Sequence, residues 1–104
     1  MTNVLTLDLT PVIALKHIRQ IACDSNRIIF DSHCEKRMKQ RHISRTQVIR
    51  CLTHGKIHEN PYRDIKTGDW RVTLSSISAG VPIRAGIALS HDSKGNMIVV
   101  ITTF

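Results

Sequence analysis

Aromatic side chains are scarce in this chain, at 4% of residues. Phe30, Tyr62, Trp70 and Phe104 are too few and too scattered for a base-stacking RNA platform. No apolar run approaches the ~20 residues that a bilayer requires, so no membrane association is expected. The cysteines, Cys23, Cys34 and Cys51, are odd in number and spell no disulfide framework. They read as reduced thiols, and the amino-terminal stretch MTNVLTLDLTP lacks the basic start and long apolar run of a secretion signal, so a cytoplasmic location is expected. Paired metal-binding spacings are missing too. Cys51 and His54 stand three apart, with Cys34 or His42 as conceivable companions, but no C-x-x-C is matched by an H-x-x-x-H. No phosphate-binding glycine loop, dinucleotide fingerprint or serine-hydrolase elbow is present, and neither a metal nor a cofactor is expected.

Acidic residues are the most telling shortage. Fifteen Lys and Arg face eight Asp and Glu, a formal charge of +7, and no acidic residue lies between Glu35 and Glu59. That interval holds Lys36, Arg37, Lys39, Arg41, Arg45, Arg50 and Lys56, with His42, His54 and His58 besides. A one-sided basic field suits a polyanion or an acidic protein, and does not by itself separate them. With 104 residues and 41% apolar content the chain is sized for one folded domain with one core.

The pattern along the chain predicts α+β architecture. Leu5, Leu7 and Leu9 alternate like an arm or short edge strand. Thr10-Pro11 caps a helix over Pro11–Cys23, with Ala14, Leu15, Ile18, Ile21 and Ala22 on its apolar side. After a turn at Asp24-Ser25-Asn26, the residues Arg27 to Asp31 read as a short strand or an extended connector. Ser32 with Glu35 forms a capping box for a helix over His33–Arg41, and Ser44 caps another over Arg45–His54 that Gly55 stops. An extended segment from Ile57 should be interrupted by Asn60-Pro61. Trp70–Ser75 and Ile83–Leu89 alternate as strands, separated by a turn at Ser78–Pro82. A turn at Lys94-Gly95 leads into Asn96–Phe104, nearly all apolar, as in a central strand covered on both faces. The expectation is two to three amino-terminal helices packed on a three- to four-stranded antiparallel sheet, residues 1–104 forming a single domain. Within it, residues 1–26 make an arm and extra helix, and 27–104 the core.

The stretch DSHCEKRMKQRHIS carries the chemistry. His33, Arg37 and Arg41 fall at i, i+4 and i+8 on one helical stripe, and Cys34 with Met38 forms an apolar stripe beside it. An imidazole at a helix start, with guanidiniums behind it and free backbone amides nearby, can face phosphate. Metal-independent RNA cleavage needs a base for the 2′-hydroxyl, cations for the phosphorane and an acid for the leaving oxygen. Histidine suits the proton roles and arginine the charge. His33 and Arg37 are the first catalytic candidates. Arg71 and Arg84, on what alternation marks as the polar sheet face above the small residues Gly86 and Ala88, are the next. Lys36, Arg41, Arg45 and His91 are candidate RNA or partner contacts, His91 also as a second proton carrier. The plainer alternatives are a first-turn hydrogen bond from His33 to Asp31, a salt bridge from Arg37 to Asp31 or Glu35, and solvated strand residues for Arg71 and Arg84. His17, His42, His54 and His58 are expected at the surface.

The string SHCEKRMKQRHIS, a helix ending in HGKI, a WRV strand and a closing MIVVITTF resemble a domain-of-unknown-function family of short bacterial proteins. The likeness runs over roughly Ile29 to Phe104, with the first helix as an addition. That family is similar to the RelE-like and BrnT-like toxins, whose best-known members are messenger-RNA endonucleases, ribosome-dependent or free. The resemblance implies a RelE-like fold, RNA as substrate (ribosome-bound messenger included) and an acidic antitoxin protein as partner. It leaves open whether the chain is a monomer or a homo-oligomer. The sequence stops on its last strand at Phe104 without the basic, aromatic tail that several ribosome-dependent members use, which weighs against a ribosome requirement. The superfamily also holds gyrase-directed toxins, so the alternative is a basic binding module that poisons a protein or holds nucleic acid without cutting it.

Overall fold

A computed structural model describes residues 10–103. The predicted arm at Leu5–Leu9, and Phe104, lie outside them. Helix α1 (Pro11–Ala22) starts where Thr10 Oγ1 accepts a hydrogen bond from the Ile13 amide and Pro11 occupies the first helical position. Its Ala14, Ile18, Ile21 and Ala22 are buried. A single 3-10 turn at Ser25–Arg27, held by the Asp24 side chain, delivers the chain to β1 (Ile28–Phe30).

Helix α2 spans Ser32–Arg41, and its cap differs from the expected box. Asp31 Oδ1 accepts from the Cys34 amide at 2.7 Å, while Glu35 turns to Arg45. Asp31 caps as well as serine does, and starting one residue earlier puts Cys34 and Met38 inside. Helix α3 (Arg45–His54) carries the reciprocal box from Ser44 and Gln47. Gly55 is its C-cap, and only glycine fits there, because a Cβ would stand 2.3 Å from the Cys51 carbonyl oxygen and 2.7 Å from that of Ser75.

Strands β2 (Lys56–Arg63), β3 (Trp70–Ser78), β4 (Val81–Asp92) and β5 (Gly95–Thr103) complete a five-stranded sheet in the order β1-β5-β4-β3-β2. The sheet is mixed, which corrects the three or four antiparallel strands expected. Residues 28–30 are a true strand, and β1 runs parallel to β5, Ile28 opposite Ile98 and Phe30 opposite Val100. First and last strands joined through the whole domain are free of the antiparallel constraint of a hairpin. Asn60-Pro61 does not end β2 either. As an edge strand it absorbs the proline in register shifts between Ile57, Glu59 and Tyr62, where no ladder amide is needed. The β3–β4 turn is tighter than predicted, since Ala79 and Gly80 both take positive φ and Ser78 pairs directly with Val81.

Val72, Leu74, Ala85, Ile87, Leu89, Ile98 and Val100 join the inward residues of all three helices in one core. β5 is therefore covered on one face only: Ile98 and Val100 are buried while Met97, Val99 and Ile101 are half-exposed. This corrects the expectation of a strand covered on both sides. No helix among the described residues is long and apolar enough to cross a membrane.

Candidate functional site

Strand register puts Arg71, Thr73, Ser75, Arg84, Gly86 and Ala88 on the sheet face turned away from the helices. Arg71 is the best-fixed cation there. Its Nη2 lies 3.4 Å from Asp64 Oδ2, and both side chains are only about a quarter exposed. The loop between β2 and β3 aims that carboxylate. Asp64 Oδ1 accepts from the Lys66 and Thr67 amides at 2.8 and 3.2 Å, and the Asp64 carbonyl accepts from the Gly68 amide. Those backbone hydrogen bonds, and then the charge of Arg71, hold the Asp64 carboxyl below its ordinary range. Arg71 Nε is buried with no hydrogen-bond partner.

Tyr62 stands directly across from Arg71 and is 58% exposed. The two side chains, with Thr73, Gly86, Ile101 and Thr102, line a groove of about 220 Å³. Tyr62 was missed in the sequence because Asn60-Pro61 hid the continuation of the strand. The signal was available in the spacing from Tyr62 to Trp70 across a loop rich in Asp, Lys, Thr and Gly. Arg84 lies on the same face but outside this groove, opposite Ser75, exposed and without a hydrogen bond or ion pair among the described residues. Ala88, directly opposite Arg71 on β4, is buried, and Gly86 forms part of the groove floor.

The α2 candidates form a separate group. His33 is exposed in the first turn, and its expected partner Asp31 is engaged with the Cys34 amide. Arg37 is half-buried, its Nε enclosed and unpartnered. The alternative salt bridge is absent, because Glu35 pairs with Arg45. Lys36 and Arg41 are exposed. Arg45 is the least available of the predicted contacts, since its guanidinium also lies 4.9 Å from the Phe30 ring centroid. No hydrogen bond or ion pair among the described residues joins His33 or Arg37 to Arg71 or Arg84. His91 is exposed, but pairing with Asn96 places it on the opposite sheet face from both arginines. Strand alternation separates it from them by one residue of parity. Of the other histidines, His17 is half-buried and His42, His54 and His58 are exposed.

The two buried thiols are held toward the protonated form. Burial first, then the charges of Asp31 and Glu35, push Cys34 up to about 11, and burial likewise raises Cys51. Cys51 is buried while His54 is exposed, and no group of three or more His, Cys, Asp or Glu gathers among the described residues.

Neither the curated proteins nor the solved structures contain a match to this chain. A family described as a domain of unknown function, DUF4258, matches residues 30–104, from the end of β1 through β5. The matched stretch contains both arginine groups and Tyr62, and α1 stands outside it. The chain thus belongs to the DUF4258 family.

Proposed function

We propose that the protein is an RNA-cleaving toxin of the RelE/BrnT kind, acting in the cytoplasm without a metal and silenced by an acidic antitoxin. The observation that carries this reading is Arg71, a guanidinium fixed by one anchored carboxylate on a sheet face that the helices leave uncovered. A preorganised cation stabilises charge on a phosphorane without reorganising during the reaction. Tyr62 beside it offers a ring for one base and a phenol within the same groove. Arg84 extends the cationic face toward the neighbouring phosphate. His33 and Arg37 stand on α2, on the helix side of the sheet and apart from Arg71, and offer RNA a separate imidazole and guanidinium, with Lys36, Arg41 and Arg45 as contacts for RNA or for the antitoxin. RNA incubated with the protein in EDTA, with and without ribosomes, tests the reading. New ends should appear with the parent and fall at least tenfold with Arg71→Ala. His33→Ala should do the same, and a folded His33→Ala variant of full activity removes that residue from the chemistry.

One observation favours a second reading: the groove around Arg71 contains no histidine. A basic module that holds nucleic acid through phosphates, or poisons a protein target, leaves RNA intact in the same assay. Phosphate-only binding then weakens steeply with salt.

A further inference from the structure

We infer that a bound single strand of RNA runs lengthwise along β3, from the Arg71 groove to a second phosphate site beside the start of β2. This rests on the RNA reading above and adds the path of the strand. β2 stops pairing at Lys56, opposite Ser75, so Ser76–Ser78 of β3 continue without a neighbour on that side. The last turn of α3 borders the gap. The result is a groove of about 370 Å³ lined by Arg50, His54 and Lys56 together with the hydroxyls of Ser75, Ser76 and Ser78. No carboxylate lines it.

All three cationic side chains are exposed, and none makes an ion pair among the described residues. His54 is steadied instead by Thr53, whose Oγ1 lies 2.8 Å from Nδ1. Guanidinium, ammonium and imidazole set among hydroxyls are the donors that phosphate oxygens accept. The groove straddles the β3 edge: Lys56 and Ser75 belong to the open face, whereas Ser76, Ser78 and α3 belong to the helix side. Lys56, Ser75 and Arg84 are consecutive partners across β2, β3 and β4, so two cations flank one serine in a single row.

Arg71 lies four residues along β3 from that row, or about 13 Å at ~3.3 Å per strand residue. Between them the face presents Thr73 and Gly86, with Glu59 at the margin on β2. A small anion needs one cationic site. Two sites at that separation, bridged by hydroxyls and backbone, fit a ligand whose negative charges repeat along a chain. Arg71 and the Lys56–Ser75–Arg84 row share the open face, and a strand following β3 passes both before it meets Arg50 at the sheet edge.

The test uses the intact protein and an RNA oligonucleotide methylated at every 2′-hydroxyl, which binds but cannot be cut. Affinity is measured against salt for the parent, Arg50→Ala, Lys56→Ala and their double variant. Lys94→Ala, at the opposite end of the sheet, is the control. The slope of log affinity against log salt should shrink by about 0.7 for each removed cation that touches phosphate. Lys94→Ala should leave it unchanged. An unaltered slope in the double variant overturns the proposal, as does an equal loss in the control. A polyglutamate peptide whose binding, unlike that of RNA, depends on Arg50 and Lys56 also overturns it and assigns the groove to an acidic protein. Cleavage retained with an unaltered slope sinks the strand path alone. A shrunken slope with RNA left intact in EDTA sinks the nuclease reading alone.

Discussion

Asp64 is the carboxylate that pairs with Arg71 on the open sheet face. Replacing it with asparagine removes the charge while keeping an amide oxygen for the Lys66 and Thr67 amides. Asp64→Asn should therefore leave the fold intact but loosen the guanidinium; under the proposed function it lowers RNA cleavage several-fold with less effect on binding, a split that single-turnover kinetics resolves. Asp92 is the other depressed carboxyl, held down first by Arg27 Nη2 at 2.6 Å and then by the Lys94 amide. A carboxyl lowered in the folded state contributes stability above its ordinary value near 3.8 and loses that contribution as pH falls through the folded value. Asp92→Asn should lower stability at neutral pH and converge on the parent in acid, flattening the acid limb of a pH-dependent melting curve. The cysteines give a simpler check: mass spectrometry after maleimide treatment should find Cys23 modified and Cys34 and Cys51 protected until denaturant is added, because only Cys23 is exposed. At this scale residue type was legible and surroundings were not. Arg37 looked ready for a salt bridge with Glu35, yet Arg45, ten residues on, takes that carboxylate. Such a competition is settled by tertiary placement.

Among the elements, the helices were the most legible, since their caps and apolar stripes are local in sequence. α3 occupies Arg45–His54 as its box and glycine stop implied. α2 was read one residue late because Ser32 and Glu35 imitate a box that Asp31 outcompetes. The two caps are distinguishable: Asp31→Ala should cost about 1 kcal/mol of stability in denaturant melts, and Ser32→Ala much less. Gly55 is tied to contact and not to unusual φ, so Gly55→Ala must push apart the end of α3 and β3, costing about 1–3 kcal/mol. Strands were harder. A three-residue strand such as β1 has no period to read, and proline in β2 looks like a break unless the strand is known to be an edge. The candidate site suffered most from this, because Tyr62 sits just past that proline and its pairing with Arg71 depends on a bulge. The face that His91 occupies was not legible for a related reason: it flips with every position along a strand.

Across the whole molecule, charge segregation was visible from composition, whereas its division between α2 and the open sheet face was not. α1 lies outside the matched family stretch, yet Ala14 and Ile18 are fully buried in the common core. Ile18→Ala should destabilise the domain by about 2–5 kcal/mol, so α1 belongs to the folding unit. The parallel pairing of β1 with β5 has a temporal meaning as well. Ile28 finds its neighbour Ile98 only when almost the entire domain has been synthesised, and β4 also waits for β5 on that side. Until then the emerging chain can form helices but cannot close its sheet, and a loop of that length closes slowly. The cationic face, laid out across β2, β3 and β4, therefore gains its last supporting neighbour only once β5 has been made.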